Sequence, residues 1–514
     1  MTRIPSFLVA LTLAVPGLAA QEPPTSPENV GVERSLPAEF SLVSNDQVTV
    51  KGVTVPYQVT TGTLPVYGDD GGIDAALYYT YYERTDVDDR SRRPLFISFN
   101  GGPGSGSLWM HLGYTSPKQL IIDDEGYPIQ PYGVRDNPHS IIDVADIVFV
   151  NPVNTGFSRI LDPDADRERF FGAEPDVAYL AAWIDLFVSR QGRWSSPKYL
   201  IGESYGTMRV AGLAGQLQNR HWMYLNGVIL VSPTGLGLRP EGPAPRANVL
   251  KLPYYTAAAH YHGKLAPNLQ SSDLEDLLPE VEQFAIDEFL PALARGGSIE
   301  DGERQRIARQ VAAYSGLSVQ TVLNHNLAVP SSYFWKDLLR EEGYTIGRLD
   351  SRYLGVDRMS AGDRYDYPAE LTSWNHAFAP AINQYLREEL GFETDLQYYL
   401  FGPVNPWSGG NPNYNGGEQL RQAMAQNPFL QVMVQSGFYD GATDYFTAKY
   451  VMWHIDPSGR LQDRMRFEGY RSGHMMYLRA EDLASSNEHI REFIEESLTN
   501  GSAASYGRVG PPGS

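Results

Sequence analysis

No cysteine occurs in the 514 residues, so the chain has no disulfide, no thiol nucleophile and no thiolate metal site. Its core must stand on burial alone, and 42% apolar residues at this length suffice. Positive charge is also scarce: 41 Lys and Arg against 61 Asp and Glu give a formal net charge of -20. Nucleic acids are held by clustered Lys and Arg, so this balance argues against a nucleic-acid partner. Long apolar runs are missing as well. The stretch Phe7 to Val15 is too short to span a bilayer and no later segment qualifies, so stable membrane insertion is not expected. There is no dinucleotide fingerprint and no internal repeat, and no cofactor is implied.

What is present begins with Arg3, that apolar stretch, and Gly17-Leu18-Ala19-Ala20-Gln21, which together read as a signal peptide over residues 1–20. The mature chain is expected to be exported, to periplasm or medium. Residues 21–38 read as a Pro-rich flexible leader and residues 500–514 as a disordered Gly/Ser/Pro tail.

The most informative stretch is Gly202-Glu203-Ser204-Tyr205-Gly206. The apolar run Lys198-Tyr199-Leu200-Ile201 before it reads as a buried strand, and Met208, Val210, Ala211, Leu213, Ala214 and Leu217 recur behind it at helical spacing. A strand, a tight glycine turn and a helix can present a serine as a nucleophile, while the competing reading is a plain Gly-rich turn. A serine hydroxyl needs a histidine to take its proton and an acid to orient that histidine. Downstream, Val432-Met433-Val434-Gln435 reads as a strand leading into a turn with Asp440, and Arg464-Met465-Arg466-Phe467 as another leading into the loop Gly473-His474. Ser204, Asp440 and His474 therefore stand in the order that an α/β-hydrolase uses. Asp444 is the rival acid, less favoured because it lies farther from the strand end. His260 and His262 could be read as a metal pair, but they lack an acidic companion, and no metal site is expected.

A third constellation, Leu95 to Phe99 followed by Asn100-Gly101-Gly102-Pro103-Gly104-Ser105-Gly106-Ser107, is a β run that breaks into a glycine loop. Its backbone N–H groups suit a developing oxyanion. A phosphate cradle is the competing reading, and it lacks the lysine that a P-loop needs. A purely structural loop is the other alternative.

These segments, with Asn151-Pro152-Val153-Asn154-Thr155-Gly156-Phe157-Ser158, come in one order over roughly residues 95 to 480, and there the chain resembles the serine carboxypeptidases, in particular cysteine-free bacterial members. The resemblance implies an α/β-hydrolase fold with a mixed, mostly parallel sheet flanked by helices. It implies Ser204 as nucleophile, His474 as general base and acid, and Asp440 as its orienter. The amides of Gly102 and Tyr205 would form the oxyanion hole. Asn100, the Gly101 amide and Glu203 would bind the terminal carboxylate of a peptide or protein substrate. Glu203 beside that carboxylate must hold a proton, because two like charges at hydrogen-bond distance cannot both ionise cheaply, so activity should favour acid pH. Two positions depart from the pattern. Ser98 stands where better-studied members have tryptophan, and His111-Leu112-Gly113 stands where they have a glutamate before Leu-Gly. A Glu203–His111 pair would favour ionised Glu203, which makes His111 a candidate modulator.

The span from Ser204 to Asp440 is longer than the sheet needs. Pro240 to Arg246 is a break, after which Leu274 to Leu293, Asp301 to Tyr314 and Ser318 to Leu327 read as amphipathic helices. Residues 39–239 and 371–499 are taken as the hydrolase core and 240–370 as a helical cap, either a pocket-shaping lid or a passive cover. Ser485-Ser486-Asn487-Glu488 offers a capping box for a final helix. The leading expectation is an exported serine carboxypeptidase working through an acyl-enzyme. The alternatives are an esterase or acyltransferase with the same triad, or a non-catalytic peptide-binding protein. Oligomeric state is left open.

Overall fold

The computed structural model describes residues 34–237, 245–499, 501 and 506. The expected signal peptide, and most of the expected leader and tail, fall outside them. Three antiparallel strands, β1 (Phe40–Val50), β2 (Val53–Tyr67) and β3 (Ile73–Arg84), form one side of the sheet. The first hairpin closes through Lys51 and Gly52, both with positive φ (51° and 80°), which matches the twist of the strands they join. Beyond β3 come β4 (Leu95–Phe99), β5 (Asp146–Val150), β6 (Lys198–Glu203), β7 (Gly227–Val231), β8 (Gln431–Gly437) and β9 (Met465–Tyr470). The spatial order is β1-β2-β3-β5-β4-β6-β7-β8-β9, with Arg159–Ile160 pairing to β3 as a tenth strand. From β5 onward every pairing is parallel, so the sheet is mixed and mostly parallel, as expected.

Parallel strands are covered on both faces, which is why β4 to β7 are largely apolar and are buried throughout. Alternate residues serve opposite layers. Ile97, Phe99, Leu200 and Leu230 pack against the helices α1 (Ala173–Arg190) and α2 (Tyr205–Arg220). Phe96, Ile201 and Ile229 join Ile490, Phe493 and Ile494 of the final helix on the other face. That helix spans Ala480–Ser497, so it begins five residues before the expected capping box. Glu481 and Asp482 complement its first turn, and Ser486 instead bonds back to the Leu483 carbonyl from inside the helix.

Between residues 245 and 342 the chain is helical, including Leu252–Tyr261, Leu274–Phe284 and Asp301–Ser315. Their apolar faces share one cluster with Phe438, Tyr439, Tyr445 and Phe446, which flank Asp440. The inserted helices are thereby joined to the turn that carries the candidate acid.

At the opposite end of the sheet, Asp146 opens β5 and accepts from the half-buried Arg84 N–H (3.0 Å) and from the buried Arg93 Nε (3.0 Å) and Arg193 Nη1 (2.6 Å). A buried guanidinium is tolerable only while its carboxylate stays in place. Replacing Asp146 with alanine is expected to lower the unfolding free energy by about 3–5 kcal/mol, read as a shift of the urea midpoint. An unmoved midpoint would contradict this account.

Candidate active site

Strand β6 ends at Glu203, and the chain turns through Ser204 with φ 57° and ψ -126° before α2 begins at Tyr205. This conformation is costly for a residue with a side chain, and it lifts the serine out of the sheet above the helix N-terminus. Glycine at 202 is required by distance: a Cβ there would lie 2.2 Å from the Gly206 carbonyl oxygen. One at Gly101 would lie 2.5 Å from the Tyr205 nitrogen, so the glycine loop after β4 rests directly on the turn.

Asp440 and His474, far apart in the sequence, lie side by side. His474 Nδ1 donates to Asp440 Oδ2 at 2.6 Å, and both residues are buried. Asp440 is also held by the N–H groups of Ala442 (2.9 Å) and Thr443 (3.1 Å) and by the Thr443 hydroxyl (2.6 Å). Burial opposes charge on Asp440, but the imidazole and these donors outweigh it and keep its carboxyl below the usual range. Burial likewise opposes charge on His474, yet the Asp440 and Glu203 carboxylates prevail and raise its pKa above the ordinary imidazole value. Asp444 is occupied elsewhere, accepting from the Thr447 N–H (2.8 Å) as the cap of the helix Tyr445–Ile455. His260 and His262 bond the carbonyls of Ser272 and Ser351.

Ser204 and His474 line one cavity of about 330 Å³ together with Asn100, Gly101, Gly102 and Glu203. Among the described residues no hydrogen bond joins the Ser204 hydroxyl to the imidazole; instead His474 Nε2 faces Glu203 Oε1 at 3.7 Å. Glu203 also accepts from Asn100 Nδ2 (3.1 Å) and from the Tyr477 hydroxyl. Burial pushes the Glu203 carboxyl above the usual range against the pull of His474 and Tyr477. Asn100 is fixed by the Met110 N–H on its other side (3.0 Å). Gly102, with φ 102°, lines the cavity, and neither its N–H nor that of Tyr205 donates to any acceptor among the described residues. Two free donors beside a helix N-terminus form a site for negative charge.

His111 is not brought to Glu203. Its Nε2 meets the Tyr82 hydroxyl at 2.6 Å, its ring stacks on Phe149 at 4.5 Å, and burial pushes its pKa down to about 3. The expected modulation of Glu203 by His111 is therefore corrected: a neutral, enclosed imidazole belongs to the core, and Tyr477 is the group on the glutamate. Ser98 is buried, and its hydroxyl has no partner.

Several supporting residues escaped the sequence reading. Arg209 is buried on α2 and pairs with Asp176 of α1 (2.8 Å), while its Nη1 donates to the Asn100 carbonyl (2.6 Å). The Tyr205 hydroxyl meets the same Asp176 at 3.2 Å. One ion pair thus ties the serine turn to the glycine loop. A charged residue on the apolar stripe of α2, four positions from Tyr205, was the available signal. Thr443 and Arg348 border the cavity from loops whose contacts span the chain.

Comparison with known proteins bears on this geometry. Residues 54–234 match the family model described as serine carboxypeptidase. Over that segment the chain is similar to the serine carboxypeptidases. Serine carboxypeptidase-like 36 of Arabidopsis thaliana is 27% identical over 187 residues, covering 35% of this chain and 37% of that relative. Serine carboxypeptidase-like 37 of the same plant is 28% identical over 174 residues, covering 31% and 32%. The chain thus matches about a third of each relative's length. Among solved structures, Kex1(delta)p, a prohormone-processing carboxypeptidase from Saccharomyces cerevisiae, superposes with a TM-score of 0.52 at 15% identity, covering 85% of this chain and 91% of that one. The fold is accordingly an α/β hydrolase. The matched segment contains the glycine loop and Ser204, whereas Asp440 and His474 lie beyond it.

The serine turn yields a direct test. Gly202→Ala forces a methyl group against the Gly206 backbone, so activity should vanish and stability should fall by about 1–3 kcal/mol in thermal unfolding. An active, equally stable variant would refute the turn geometry.

Proposed function

We propose that the chain is an exported serine carboxypeptidase that removes residues from peptide C-termini. The observation that carries this reading is the cavity where Ser204, the Asp440-oriented His474 and the Asn100–Glu203 pair open side by side. A nucleophile beside a carboxylate-binding pair suits a bond adjoining a chain end.

Ser204 Oγ attacks the last peptide carbonyl as His474 Nε2 takes its proton, and the amides of Gly102 and Tyr205 hold the oxyanion. The C–N bond then breaks, and His474 returns the proton to the departing amine. The acyl-enzyme is hydrolysed by a water that His474 deprotonates, releasing the shortened peptide with a new carboxylate. The inserted helices act as a cap over a second cavity of about 480 Å³, lined by Tyr205, Met208, Leu236, Leu250 and Tyr450. It adjoins the first through Thr234, Ala442 and Thr443, and it is sized for the side chain on the acyl side.

The Glu203–His474 contact gives the mechanism its proton logic. One proton shared by the pair yields either imidazolium with carboxylate, or imidazole with carboxyl. A substrate carboxylate repels the first arrangement and accepts a hydrogen bond from the second, so binding moves the proton onto Glu203 and frees His474 as base.

Two measurements test this. A blocked dipeptide with a free carboxylate should be cleaved with higher kcat/KM than its C-terminal amide. Equal or better cleavage of the amide or a simple ester would favour an esterase or acyltransferase. The pH profile has signed limits: His474, raised above 6.5, is lost as base when pH falls through its pKa, and Glu203, raised above 4.5, loses its proton as pH rises through its own. Efficiency on free-acid peptides should therefore be bell-shaped, falling in acid as the pair takes up a second proton and falling in base as it loses its only one. An optimum well above neutral would reject the protonated-glutamate role.

A further inference from the structure

Arg348 is the only lysine or arginine among the residues that line the Ser204 cavity. Its backbone is fixed by the two loops that carry the acid and the base: the Gly441 N–H donates to the Arg348 carbonyl at 2.9 Å, and the His474 N–H donates to the adjoining Leu349 carbonyl at 2.7 Å. Leu349 is held in turn through its own N–H by the buried Glu370 carboxylate (2.9 Å). The base of this side chain is as firmly placed as the triad itself. The other cations around the site are already matched by carboxylates: Arg209 by Asp176 (2.8 Å), Arg352 by Asp350 (2.7 Å) and Lys251 by Asp444 (3.4 Å). Arg348 makes no such ion pair among the described residues. Its guanidinium lies beside the neutral Tyr365 hydroxyl, within electrostatic reach of Glu370 and His474.

A guanidinium without an ion pair, at a cavity that also holds Glu203 and His474, is free to take a charge-assisted contact from an anion that enters. The protein as a whole supplies the opposite field, since its formal charge is -20 and the Asp440 carboxylate stands at the reaction centre. A substrate arriving with a free carboxylate is repelled by that field unless a local positive charge offsets it. The apolar walls of the cavity, Trp109, Leu371, Phe401 and Met475, suit the body of an amino acid and offer its carboxylate no charge of their own. Asn100 gives one amide hydrogen to Glu203 and accepts the Met110 N–H, which leaves it one neutral donor for a ligand and no charge.

We propose that Arg348 is a specificity-determining residue that binds the free carboxylate of the leaving amino acid by a charge-assisted contact, alongside Glu203. The proposal rests on the carboxypeptidase reading and deepens it. It places a permanent cation, insensitive to pH in the working range, on a recognition task that the sequence motifs give to neutral groups and one protonated acid. It also makes recognition depend on a residue outside the segment that matches the serine carboxypeptidase family.

The test compares a blocked dipeptide acid with its C-terminal amide in the full chain, for wild type, Arg348→Gln and Arg348→Lys. Loss of one charge-assisted contact should raise KM for the acid about 10- to 100-fold in Arg348→Gln, reduce the acid-to-amide preference by the same factor, and leave the larger effect in KM rather than kcat. Arg348→Lys should recover part of the preference. In wild type, added salt should raise KM for the acid more than for the amide, a result that needs no variant to fold. An acid-to-amide preference unchanged in Arg348→Gln, or salt dependence equal for both substrates, overturns the role of Arg348 and leaves the carboxypeptidase reading intact. A wild-type enzyme with no preference for the acid overturns that reading, and this proposal with it.

Discussion

The 2.6 Å bond between Asp440 and His474 is the contact on which the rest of the site depends. It fixes which imidazole nitrogen faces the cavity, and without it the serine has no oriented base. The bond is not left to the two side chains alone. The Ser232 hydroxyl donates to the His474 carbonyl at 2.8 Å, the Leu349 carbonyl takes the His474 N–H, and the Arg348 carbonyl takes the N–H of Gly441. Loops after β7, β8 and β9 are thus joined to the segment that follows the inserted helices. Those helices share an apolar cluster with the aromatic residues around Asp440, so they and the Asp440 turn are packed as one unit.

A second constraint is electrostatic. Three ionisable groups, Glu203, His474 and Asp440, are buried in contact, each with its charge opposed by burial. Asp440 stays ionised because four donors converge on it, whereas Glu203 has only two, Asn100 and Tyr477, beside the imidazole. The difference in donor number separates two chemically similar carboxylates: one is held as an anion against the imidazole, and the other is pushed toward its protonated form.

The parts of this site that were legible in the sequence are those governed by local geometry. The strand, turn and helix around Ser204 are set by adjacent residues, because glycine is needed where backbones meet and apolar periodicity changes from strand to helix over a few positions. Asp440 and His474 were legible for the same reason, each standing in a turn just after a buried strand. Contacts between distant segments were not legible. His111 sits in a family position yet turns to Tyr82, since β3 supplies an enclosed hydroxyl that sequence spacing cannot place. Tyr477 reaches Glu203 across 274 positions, and Arg348 enters the cavity from the far end of the insertion. The final helix begins at Ala480 because acidic residues in its first turn and tertiary burial outweigh the local capping signal farther along.

The account stands on Ser204 being a nucleophile activated by His474 and Asp440. The most direct measurement is mass spectrometry of the protein after exposure to a fluorophosphonate, with the modified peptide located. A single adduct on Ser204 is predicted, absent in Ser204→Ala and strongly slowed in His474→Ala and Asp440→Asn. Folded wild-type protein that takes up no label, or labels equally without Ser204, would contradict it.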